Sequence, residues 1–100
     1  MIRHVVCWTF HETADGRSRA DNIAEAARRL AGLRARIPVL RSLEVGVHIG
    51  AAAEAFDLAL LCSFDSLADL EIYQRHPAHQ EVVAFLRQVR DRRVVVDFEI

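Results

Sequence analysis

The order of patterned segments in this 100-residue chain predicts an α+β fold, βαββαβ, with a four-stranded antiparallel sheet and helices on one of its faces. Three observations carry that expectation. Four segments alternate apolar and other residues at the two-residue period of a strand. Two segments between them repeat apolar residues at the three- and four-residue spacing of a helix. The strands are also apolar away from their main face, and one chain supplies helices for one face only. A second copy is the economical cover for the other, which makes a dimeric α+β barrel the expected assembly.

The first strand is read over Ile2 to Phe10, with Ile2, His4, Val6, Trp8 and Phe10 on one face and Arg3, Val5, Cys7 and Thr9 on the other. Asp15-Gly16 supplies a turn, and Ser18 with Asp21 three residues on resembles a capping box. The helix that follows carries Ile23, Ala27, Leu30, Leu33 and Ile37, and Pro38 stops it. A second strand, Arg41 to Ile49, puts Leu43, Val45, Val47 and Ile49 on one face. Gly50 and three alanines connect it to a third, Phe56 to Phe64, as an antiparallel hairpin. Asp65-Ser66 caps a helical region with Leu67, Leu70 and Tyr73. Pro77 interrupts that region and restarts it through Val82, Val83, Phe85, Leu86 and Val89. An Arg-rich turn, Arg90 to Arg93, then leads into a last strand from Val94 to Ile100. This is the ferredoxin-like arrangement, in a single domain over residues 1–100.

Composition narrows the partners. The chain is 52% apolar, yet so short a domain buries only about 60–65% of its unfolded surface, which again points to a partner subunit. Thirteen basic and fourteen acidic residues give a net charge of −1, so no overall field draws nucleic acid or anionic lipid. Every basic residue is arginine. Arg34, Arg36 and Arg41 fit a solvated helix end better than a phosphate site. Cys7 and Cys62 have no CxxC neighbours and sit in apolar runs, as reduced thiols of a cytoplasmic protein would. No secretory signal is legible, and no apolar run approaches a membrane span.

Several segments together resemble one family. They are Met1-Ile2-Arg3-His4-Val5-Val6, Ile37-Pro38, Ser63-Phe64-Asp65-Ser66, Tyr73-Gln74-Arg75-His76-Pro77-Ala78-His79 and Val96-Asp97-Phe98. The chain is similar throughout to the stress-responsive A/B barrel, or Dabb, domain. That resemblance implies a homodimer with an apolar cavity between sheet and helices in each subunit. It extends to a plant polyketide cyclase of the family, olivetolic acid cyclase, which performs an intramolecular aldol-type condensation without a cofactor. Carried over by motif, His79 matches the catalytic base, Tyr73 the hydroxyl that polarises a carbonyl, and His4 a pocket-lining histidine. Trp8, Ala26, Ala27 and Leu30 depart in size from the plant enzyme, so its substrate does not carry over.

The residues make a physical case of their own. Pro77 suits the first position of a helix, which puts His79 in the first turn, where the helix dipole keeps the ring neutral. A neutral imidazole with a phenol donor suits proton abstraction beside a carbonyl, the phenol steadying the enolate oxygen. The same residues admit a structural reading, with His76 capping the helix, Tyr73 packing and His79 bonding a strand carbonyl. Asp97 either orients His79 or caps the strand end, and His76 is a second candidate for an orienting role. The expected lining is His4, Val6, Trp8, Ala27, Leu30, Leu60, Val82, Phe85 and Val95, suited to a small apolar or ketide-like ligand. His76 and His79 have no third ligand at a recognised spacing, so neither a metal nor another cofactor is expected. Two functions follow: a cofactor-free cyclase- or isomerase-like enzyme, or a non-catalytic dimeric binding or structural protein.

Overall fold

A computed structural model describes all 100 residues, and the main sheet runs in the order expected of the βαββαβ arrangement. Strand β1, Ile2–Phe10, is followed by a short ladder of β2, Thr13–Ala14, and β3, Arg17–Ser18. Helix α1 spans Arg19–Ala31, and a single 3₁₀ turn extends it over Gly32–Ala35. Then come β4, Ser42–Val47, β5, Leu58–Phe64, α2, Leu67–Arg75, α3, Pro77–Val89, and β6, Arg90–Glu99. The sheet order is β4-β5-β1-β6, with every neighbour antiparallel. No helix is long and apolar enough to cross a membrane.

The alternation of β1 sets the layers. Ile2, His4, Val6, Trp8 and Phe10 are buried beneath the helices, and Arg3, Val5, Cys7 and Thr9 between them are half-buried on the outer face. Trp8 is only 4% exposed, which fixes the register, since a slip of one residue would turn every side chain over. Ser18 Oγ accepts from Asp21 N and starts α1, whose buried stripe is Asn22, Ala26, Leu30 and then Leu33 and Ile37. Ile23 and Ala27, expected at the centre of that stripe, pack only against its margin. Asp15 and Gly16 both have positive φ, the geometry of a two-residue hairpin turn, so the predicted turn carries the β2–β3 ladder.

Three features differ from the sequence reading. Edge strand β4 stops at Val47, leaving Ile49 beyond the sheet and 89% exposed. Leu67, expected to face the core, is exposed on the first turn of α2. The arginine run Arg90 to Arg93 is strand, not turn. Its residues pair with β1, Trp8 opposite Arg93 and Phe10 opposite Arg90, with an irregularity between Trp8 and Phe10. Edge strands tolerate charge because one side is open to water, so the arginines read as punctuation in sequence but not in space.

The outer face of the sheet is apolar at its middle. Val5, Cys7 and Leu61 lie beside Val94, Val96 and Phe98 of β6, and the last three stay substantially exposed in the single chain. Arg3, Thr9, Ser42 and Glu44 rim them.

Candidate active site

The site begins at a break in a helix. In an uninterrupted helix, the Tyr73 and Gln74 carbonyls would accept from the N–H groups four residues on. Pro77 has no N–H, so the Tyr73 carbonyl accepts from His76 N at 3.2 Å instead. Ala78 N is taken by His76 Nδ1 at 3.0 Å, the imidazole serving as N-cap of α3. That leaves the Gln74 carbonyl free inside the break, and two side chains claim it: His79 Nδ1 at 3.1 Å and Gln80 Nε2 at 2.5 Å. A carbonyl oxygen only accepts, so His79 carries its proton on Nδ1 and keeps its lone pair on Nε2.

His79 opens onto a cavity of about 300 Å³ between sheet and helices. His4, Val6, Trp8, Leu30, Leu60 and Val82, all expected there, line it with His79. Burial foremost holds the His79 ring below the ordinary imidazole range, against the hydrogen bond to the Gln74 carbonyl, and the positive charge of Arg93 acts in the same direction as burial. The direction matches the sequence expectation, but burial leads where the helix dipole was expected to act.

His4 is the second histidine of the cavity. It lies opposite Asp97 in the β1–β6 register, and its Nδ1 donates to Asp97 Oδ1 at 2.5 Å. The carboxylate expected to orient His79 therefore orients His4. Both histidines line the cavity, and in each the ring nitrogen left free by these hydrogen bonds is Nε2.

Other expected residues stand elsewhere. Tyr73 is wholly buried and does not line the cavity; its ring lies against His79 at 4.4 Å and Phe64 at 5.1 Å between centroids. Its hydroxyl is directed at the Cys62 thiol without a hydrogen-bond partner, and burial pushes the phenol pKa up, and that of Cys62 up to about 12. His76 is the helix cap described above. Phe85 turns toward α1, under the Arg29 guanidinium at 4.1 Å. Ala27 packs at the core margin. Val95 shares the helix side with its partner Val6, but it lies on the edge strand beyond the cavity and is 43% exposed.

Sequence reasoning missed the polar half of the lining: Gln74, Gln80, Arg87, Arg90 and Arg93, besides Val83 and Leu86. The Gln80 position was discoverable from Pro77, which frees a carbonyl one turn back. Arg90 and Arg93 were not, because β6 was expected to begin after them.

The model of the Stress Responsive A/B Barrel Domain, Dabb, matches residues 2–100. An uncharacterized protein of Streptomyces coelicolor is 35% identical over 101 residues, covering 99% of each chain. A dimeric ferredoxin-like protein of unknown function from Bacteroides fragilis superimposes with a TM-score of 0.87 at 26% identity, over 99% of this chain and 95% of that one. A dimeric ferredoxin-like protein from Thermobifida fusca gives 0.86 at 28%, over 99% and 90%. The hydroxynitrile lyase of Passiflora edulis gives 0.81 over 99% and 92%, and at 20% identity it shows the shared fold alone.

Proposed function

This chain belongs to the stress-responsive A/B barrel family, and we propose that it is a homodimer whose subunits each use a small-ligand cavity for cofactor-free proton transfer beside a carbonyl. The observation that carries the chemistry is His79, its tautomer set by the Gln74 carbonyl and its ring held neutral by burial at the cavity wall. In this reading Nε2 takes the proton from the carbon next to a ligand carbonyl, and the electron pair moves onto the carbonyl oxygen as an enolate. His4, its charge met by Asp97 when protonated, donates to that oxygen. The enolate then takes the proton back from His79 at another carbon, an isomerisation, or its carbon attacks a second carbonyl of the same molecule, whose oxygen takes up that proton as a hydroxyl, a cyclisation of the aldol type on a ketide-like ligand.

Tyr73 enters as a packing platform for the His79 ring and not as the donor, since its hydroxyl is sealed from the cavity. That same feature favours the alternative of a non-catalytic binding protein, which needs the cavity but no donor. Dimerisation is supported by the dimeric proteins of similar fold and by the exposed apolar middle of the outer sheet face. Cys7 and Cys62 are free thiols, which suits a reducing compartment such as the cytoplasm.

The test is α-proton exchange. A panel of simple ketones and keto acids in D₂O, followed by NMR, is expected to show faster deuterium uptake with the protein. His79→Ala is expected to remove that acceleration while the circular dichroism spectrum and dimer mass stay unchanged. Because the folded ring has a lowered pKa, the rate falls on acidification below about pH 6.5, as Nε2 is protonated. The same sign governs stability: the unfolded chain binds the proton more readily, so stability is full above that pH and declines below it. Unchanged exchange in His79→Ala would leave the alternative standing.

A further inference from the structure

Of the thirteen arginines, Arg3, Arg17, Arg19, Arg34 and Arg92 lie off the cavity without a carboxylate partner, and the other eight divide by what they meet. Arg28, Arg29, Arg36, Arg41 and Arg75 each meet a carboxylate. Arg87, Arg90 and Arg93, the three that line the cavity, meet none, and no Asp or Glu lines it with them. Two elements bring them together: Arg87 comes from the last turn of α3, while Arg90 and Arg93 come from the start of β6. In a chain whose net charge is −1, three uncompensated guanidinium groups at one opening form a local positive field. Val6, Trp8, Leu30 and Leu60 give the same cavity an apolar wall.

We propose that the cavity takes an organic anion, its apolar body against that wall and its acid head among Arg87, Arg90 and Arg93. This rests on the reading of the cavity as a ligand site and adds the class of ligand. Guanidinium groups match the planar, two-oxygen face of a carboxylate and the oxygens of a phosphate, and bonds to an ionised acceptor are the stronger kind. An acid head anchored at the arginines leaves the remainder of the molecule to reach His4 and His79. The substrate class that follows is an acid or phosphate ester carrying a carbonyl farther along its chain.

Titration calorimetry on the full-length protein separates the possibilities, with octanoate, octyl phosphate and octanamide as probes. One of the two anions is expected to bind about tenfold or more tightly than octanamide, and the tighter one identifies the head group. That preference is expected to shrink as salt is raised and to vanish in the double variant Arg87→Gln/Arg93→Gln. The salt series uses the unmodified protein, so it decides the matter even if the variant misfolds. Octanamide binding as well as either anion would overturn the anion assignment and leave the ligand cavity standing. Absence of binding by all three would overturn the cavity reading, and this inference with it.

Discussion

The two faces of the sheet are built from the same four strands and have come to different ends. Toward the helices, Ile2, Val6, Phe10, Leu58, Leu60 and Phe64 are sealed by the chain's own elements, and the polar exceptions stand out. His4 is one such exception: it is 2% exposed and satisfied by Asp97. Outward, Val5, Cys7, Leu61, Val94, Val96 and Phe98 form an apolar middle with a polar rim, the anatomy of an interface and not of a site. A hydrogen-bonded histidine inside a sealed layer is costly to place and selective in what it meets. An uninterrupted apolar patch is cheap to build and meets another patch. On the proposed reading, chemistry belongs to the first face and assembly to the second.

Charge on the outer face is the severest way to break that comparison. Val96→Asp is expected to abolish the dimer, because its carboxylate would be desolvated without a partner. Light scattering at micromolar concentration should then give the mass of one chain or aggregates; an intact dimer would mean that assembly uses another surface. On the inner face the expected loss is one of stability. Trp8→Ala is expected to cost about 3–5 kcal/mol, measured by denaturant unfolding, because it empties a well-packed wall. A cost under about 1 kcal/mol would mean that Trp8 merely borders open space. The smallest expected effect sharpens the inner face alone. Tyr73→Phe removes a buried hydroxyl that has no partner, so stability should stay level or rise by up to about 1 kcal/mol. A loss of more than about 2 kcal/mol would reveal a partner for the hydroxyl.

Strand β1 was fully legible because five residues at period two leave one choice of face. The helix break was equally legible, since Pro77 removes a donor in any context, and it brought His79 to its place. Less was legible where the outcome depends on pairing between distant segments. Asp97 lies 93 residues from His4, and only the β1–β6 register decides which histidine it serves. The donor role of Tyr73 comes from the motif resemblance. The motif brings its ring against His79 but does not say which way the hydroxyl points. Arg90 and Arg93 at the cavity were hidden for a third reason: an edge strand accepts charge, so their polarity masked their strand.

The hydrogen bonds around Pro77 have a consequence for how such a protein can change over evolutionary time. Every contact that sets the His79 tautomer lies within the seven residues from Gln74 to Gln80, and the contacts that shape the apolar wall come from β1, β5 and α1. Positioning and selectivity are thus encoded in separate stretches of the chain. Replacements at Val6, Trp8, Leu30 or Leu60 can reshape what the cavity admits without touching the hydrogen bonds that fix the His79 tautomer, much as a tool keeps its handle while the bit is exchanged.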